Sequence, residues 1–119
     1  MDQATDGQVS DKSLVAKQQS QKNSLVIDGF IRKIDTTRYT AAGEPVIKFI
    51  LEHASQSNDV SRREVNCQIG VQLIGKPLCR SFEGFALDDL ISVKGFLTRN
   101  SYREELSWVI IEALAIKTP

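Results

Sequence analysis

Cations alternate with aromatic rings at two places in this chain. One is Arg38-Tyr39, with Lys33 shortly before it; the other is Arg99-Asn100-Ser101-Tyr102-Arg103, with Trp108 beyond. A guanidinium can hold a phosphate and a ring can stack a base, each stacked base contributing roughly 1–3 kcal/mol to single-strand binding. Arg62 and Arg63 form a further basic pair, and Asn66 adds an amide able to bond a base edge. Taken singly, each arginine reads as a solvated loop charge, because arginine is mostly exposed. Trp108 fits a subunit interface as well as a stacking platform, since interfaces also enrich tryptophan. It is the grouping of charge with ring that points to an unpaired nucleic-acid strand.

Catalytic chemistry has little to work with. His53 is the single histidine, and it follows Glu52 on a predicted strand, so the two side chains face opposite ways. It reads as a structural residue at a strand end. Cys67 and Cys79 lack Cys-x-x-Cys spacing and sit among apolar neighbours, where reduced thiols behave as small buried hydrophobes. With His53 they make a poor zinc set, and no Gly-rich phosphate loop occurs. No enzyme, metal or cofactor is expected.

The elements that must position the two tips follow from period-two patterning. Leu25, Ile27, Gly29 and Ile31 share one face of a first strand, with Gly29 suggesting a bulge or bend. Gly43-Glu44-Pro45 turns the chain into a second strand over Pro45–Ala54, with Ile47, Phe49 and Leu51 inward. Residues 55–61 are a polar loop. The third strand places Val65, Cys67, Ile69, Val71 and Leu73 inward, and Asn66, Gln68, Gly70 and Gln72 outward. From Gly75 to Asp89 the alternation stops. Pro77 can open a short helix there, and Leu78, Phe82, Phe85 and Leu87 can plug a barrel end. The fourth strand turns Ile91, Val93, Gly95 and Leu97 inward; the fifth turns Val109, Ile111 and Ala113 inward, with Trp108 and Ile110 outward. Five strands, a short irregular or helical connector between the third and fourth, and long tips after the first and fourth predict an all-β OB-fold barrel.

The chain of 119 residues, 41% hydrophobic and 25% charged, holds one such domain over residues 24–119. Residues 1–23, rich in Asp, Gln, Ser and Lys, read as a disordered tail. No secretory signal or membrane-length apolar run is present, so a cytoplasmic protein is expected, nucleoid-associated if nucleic acid is its ligand. Fifteen basic and fifteen acidic residues cancel, which rules against binding polyanions through a global field. Contact with nucleic acid must therefore be local.

Three stretches bear a family likeness: Asn23-Ser24-Leu25-Val26-Ile27-Asp28-Gly29, Arg38-Tyr39-Thr40-Ala41-Ala42-Gly43 with Pro45-Val46, and Val93-Lys94-Gly95-Phe96-Leu97. They resemble the bacterial single-stranded-DNA-binding protein superfamily. Phe49-Ile50-Leu51-Glu52-His53 with Cys67-Gln68 is more similar to the primosomal replication protein N (PriB) family. The resemblance covers residues 23–117. It implies a homodimeric OB-fold binder of single-stranded DNA at abandoned forks, partnered by the restart helicase PriA and, in some bacteria, DnaT. By position it puts a basic contact on Arg38, three basic positions on Ser101, Arg103 and Trp108, and an aromatic position on Asn66. With one of those three basic here, binding should lean on Tyr39, Tyr102 and Trp108. Two other readings stay open: a protein-protein adaptor with weak DNA binding, which zero net charge favours, and an ordinary single-strand-binding protein. Against the latter, residues 117–119 lack an acidic, Phe-ending tail.

Overall fold

The computed structural model describes residues 21–99 and 109–119. The tail expected over residues 1–23 lies almost wholly outside the described residues, as does the tip from Asn100 to Trp108. The described chain runs β1 (Leu25–Ile34), β2 (Arg38–Tyr39), β3 (Pro45–Gln56), β4 (Glu64–Ile74), α1 (Lys76–Phe82), β5 (Leu90–Arg99) and β6 (Val109–Lys117). β2 is a two-residue addition to the five strands expected.

β1 closes the barrel by serving two neighbours. Its first half pairs with β5, from Leu25↔Gly95 to Phe30↔Leu90; its second half pairs with β3, from Phe30↔Glu52 to Ile34↔Phe49. β5 then pairs with β6, β6 runs parallel to β4, and β4 returns along β3. The sheet thereby closes around the core, while Leu25–Gly29 of β1 and the far end of the β3–β4 hairpin are each paired on one side only. The expected bulge in β1 falls between Ile31 and Lys33 rather than at Gly29. Gly29 serves a different need: a Cβ there would lie 2.6 Å from the Glu52 carbonyl oxygen, so only glycine lets β3 cross so closely.

Inside, Phe49, Ile31, Leu51, Leu73, Ile91, Ile111, Val71 and Val93 are fully buried. Each sits on the face its alternation predicts. α1 forms where Pro77 can open a helix, and it caps one barrel end. Its Phe82 stacks on Phe49 with ring centroids 5.0 Å apart, and Phe85 stacks on Phe82 at 6.3 Å. Leu87, expected in that plug, is instead exposed, in the turn region that leads to β5. Leu97 is exposed too, near the upper end of β5, where Asn23 holds both its backbone N–H and its carbonyl at 2.9 Å.

Four further placements fail for reasons the topology supplies. Val65 and Cys67 keep the inward parity of β4 yet are exposed, because β3 and β4 continue past Phe30↔Glu52, where β1 leaves β3 for β5. Val109, predicted inward, is 54% exposed at the mouth of β6, whereas Ile110, predicted outward, is 7% exposed. Ile110 is covered because it packs over Gly70, whose added Cβ would lie 3.1 Å from its methyl.

Candidate nucleic-acid interface

The first tip is a turn fixed by its own backbone. Gly43 adopts φ 86°, Thr40 and Glu44 exchange hydrogen bonds, and Arg38 and Tyr39 pair with Val46 and Pro45. A left-handed φ suits glycine and strains other residues. The result presents Arg38 and a Tyr39 ring that is 69% exposed. Tyr39 shares a cleft with Pro45, Lys76, Arg80 and Glu83. Lys76 and Arg80 escaped notice in the sequence because α1 read as a plug; a helix that buries Cys79 and Phe82 must present other positions to solvent.

The second basic pair stands at the far end of β3. Eleven residue pairs join β3 to β4, from Val46↔Ile74 to Gln56↔Glu64, and the tip 57–63 carries Arg62 and Arg63. From Pro45 to Gln56 the strand spans roughly 35–40 Å at about 3.4 Å per residue. Asp59 organises the tip: its carboxylate accepts from the hydroxyls of Ser57 at 2.7 Å and Ser61 at 2.5 Å, and from Ser61 N–H at 3.2 Å. Those donors hold its carboxyl below the ordinary range, Ser61 contributing most and Ser57 next. Arg63 pairs with Asp59 at 3.8 Å, and Arg62 adopts φ 52°. Asn66, further back on the arm, is exposed beside Ser55 and Glu64.

Between the two ends lies the outer face of β3 and β4. An open cavity of about 340 Å³ is lined there by Asp35, Lys48, Ile50, Gln68, Gly70 and Ile110. Lys33, exposed, is opposite Ile50 in the β1–β3 register, and Arg99, exposed, is opposite Val109 in the β5–β6 register. The sites predicted on strands therefore border one continuous face, with Arg38 and Tyr39 at one end and Arg62, Arg63 and Asn66 at the other. Ser101, Tyr102, Arg103 and Trp108 lie outside the described residues.

His53 takes a structural place. Its Nδ1 lies 2.7 Å from the Asp28 carbonyl and its Nε2 lies 2.8 Å from Ser55 Oγ. A carbonyl can only accept, so Nδ1 donates to it, and Nε2 meets a hydroxyl that can serve as either partner. The Nδ1 bond ties the arm to β1, and the Nε2 contact stays within β3. Nearby, Arg32 donates to Glu52 at 2.6 Å and to Asp88 at 2.8 Å while lying over the Phe30 ring, so its guanidinium is held still more firmly protonated. It joins β1, β3 and the connector before β5.

A family model described as "another single-strand binding protein family" matches residues 23–113. The chain belongs to that single-strand binding protein family. Within the family its likeness is to PriB: Replication restart protein PriB of Photorhabdus laumondii is 27% identical over 96 residues, spanning 80% of this chain and 91% of that protein. PriB of Erwinia tasmaniensis is 26% identical over the same shares. Among solved structures, priB from Ralstonia solanacearum superposes with a TM-score of 0.71 at 19% identity, covering 82% of this chain and 99% of that one. The small single-stranded DNA-binding protein of Streptomyces coelicolor gives 0.64 at 20% identity, covering 84% and 96%. The OB-fold barrel of the single-strand binding protein family is thus established on both sequence and shape.

Proposed function

We propose that this protein is a non-catalytic single-stranded-DNA-binding subunit of the replication restart machinery. Continuity of the β3–β4 face carries the reading. Amides and apolar groups (Asn66, Gln68, Ile50) lie along it, and cations stand at both ends. A strand laid along it would meet Arg62 and Arg63 at the arm, Lys33 and Arg99 at the middle, and Arg38, Tyr39, Lys76 and Arg80 by the helix. Ser101, Tyr102, Arg103 and Trp108 belong to the same site by sequence. Its relatives' name, Replication restart protein, supports placing it beside the restart helicase PriA, with DnaT as a further partner and a homodimer as the working unit. Neutral net charge supports a second reading, an adaptor whose DNA affinity is weak.

Titration of fluorescein-labelled oligo-dT over a salt series tests both. Each phosphate contact on a single strand contributes a slope of about 0.7 in log affinity against log salt, so Arg38→Ala/Arg62→Ala/Arg63→Ala should flatten the response by about 2. An unchanged slope would remove these arginines from the site. Absence of oligo-dT binding by the native protein, with helicase stimulation intact, would favour the adaptor.

A further inference from the structure

The outer face of β3 and β4 carries a hollow, and a glycine makes it. Along β4 the outward row reads Asn66, Gln68, Gly70 and Gln72, so a side chain is missing where Gly70 stands opposite Ile50. Ile110 closes the floor, its methyl lying 3.1 Å from where a Gly70 Cβ would be. The open cavity over this point holds about 340 Å³, at the small end of the range for ligand sites. Ile50 and Ile110 give it apolar surface against which one flat base can lie. Its polar lining is uneven. Asp35 is the only acid among the described residues that line it, and none of the described residues donates to its carboxylate. The backbone there is fixed, since the Asp35 N–H donates to the Lys48 carbonyl at 2.9 Å. Gln68 adds an exposed amide. A carboxylate on this face repels phosphate and is satisfied only by a donor.

We propose that Asp35 makes this hollow a selective seat for cytosine over thymine. The inference deepens the single-stranded-DNA reading given above and rests on it. Cytosine turns its N4 amino group to the carboxylate, the pairing that acidic side chains make with that base. Thymine carries O4 at the same place, so two acceptors would face each other with no proton between them. Gln68 does not discriminate: its amide has a donor and an acceptor end, and can turn to meet N3 of cytosine or N3–H of thymine. The arginines at the two ends of the face meet phosphate and carry no sequence information. Selectivity therefore falls to Asp35. Adenine bears the same amino-and-acceptor edge on a larger ring; cytosine and thymine are close in size, so comparing them isolates the amino group.

The test titrates fluorescein-labelled oligo-dC and oligo-dT of equal length against the full chain by anisotropy, in mildly alkaline buffer where cytosine is unprotonated. Oligo-dC should bind about tenfold tighter, the discrimination of one good base-edge contact. Asp35→Asn, whose amide can donate as well as accept, should bring the two affinities together, chiefly by raising that for oligo-dT, with the thermal melt unchanged. Gln68→Ala should weaken both oligos by a similar factor and keep their ratio. Arg62→Ala/Arg63→Ala should do the same through lost phosphate contacts. Equal binding of the two oligos by the native protein, or tighter binding of oligo-dT, overturns the proposal and leaves the DNA reading standing. A cytosine preference that persists in Asp35→Asn overturns it too, because the selectivity would then belong to another group. Binding of neither oligo overturns it together with the reading it rests on.

Discussion

Up to the Phe30↔Glu52 pairing, the β3–β4 hairpin is a barrel wall; beyond it, the same two strands are an arm in solvent. In the wall, Phe49, Leu51, Val71 and Leu73 are buried against α1 and the opposite strands. In the arm, residues 54–56 and 64–67 are exposed on both faces. Its order comes from the backbone ladder, the His53 bonds and the Asp59-centred tip. Stability and reach have therefore been given to different lengths of one hairpin. The arm can present Arg62, Arg63 and Asn66 to a ligand without any of them serving the core.

The comparison breaks first at Phe49. Phe49→Ala removes a fully buried ring and the stacking partner of Phe82, and large-to-small changes of this kind cost about 3–5 kcal/mol. Asn66→Ala, on the arm, should stay within about 0.5 kcal/mol, as exposed substitutions usually do. Urea denaturation measures both. Comparable losses at the two positions would mean the arm is part of the cooperative core.

The two cysteines sharpen the same contrast with one reagent. Cys79 is buried in α1, its thiol donating weakly toward the Leu73 and Pro45 carbonyls, and desolvation pushes its pKa up. The nucleophile is the thiolate, so a raised pKa and burial both slow it. Cys67 is exposed on the arm, opposite His53 in the register. A thiol reagent such as dithionitrobenzoate should therefore label one equivalent quickly, and the second at the rate of unfolding. In Cys67→Ser the fast phase should vanish, with stability changed by less than about 0.5 kcal/mol. Two fast equivalents would show that the helix plug opens readily.

The barrel's interior was legible because burial enforces alternation, and Ile31, Phe49, Leu51, Val71, Leu73, Ile91, Val93 and Ile111 all obey it. Alternation does not say where the layer beneath a strand ends. Val65 and Cys67 carry the inward parity past Phe30↔Glu52, where β1 leaves β3 for β5. Ile110 shows the converse: an outward position becomes covered when the neighbouring strand offers a glycine. Lys76 and Arg80 did not stand out in the sequence for another reason. Their nearness to Tyr39 depends on where α1 is docked against that turn, and a short helix's local sequence holds no record of that. Arg38, Tyr39, Arg62 and Arg63 could be placed on their tips from the sequence because turn chemistry fixes tips locally.

The smallest effect expected is also the most local. Asp59 is exposed, and its carboxyl is depressed by the Ser61 and Ser57 hydroxyls and by backbone donors of Ser61 and Arg62. A depressed folded value means the folded tip binds its proton less readily than the unfolded chain does. The tip's contribution is then complete above the unfolded value of about 3.9 and fades as pH falls through the lower folded one. Protection of the Ser57, Ser61 and Arg63 amides, measured against the intrinsic slowing of exchange in acid, should fall over that window while core amides of β3 and β4 stay protected. Asp59→Asn should exchange faster at neutral pH and show no step of its own on acidification, because no titrating group remains at the centre of the tip. A step that survives in Asp59→Asn would trace the acid response to another carboxylate, such as Glu64 on the adjoining strand, and the tip would no longer be Asp59's to organise.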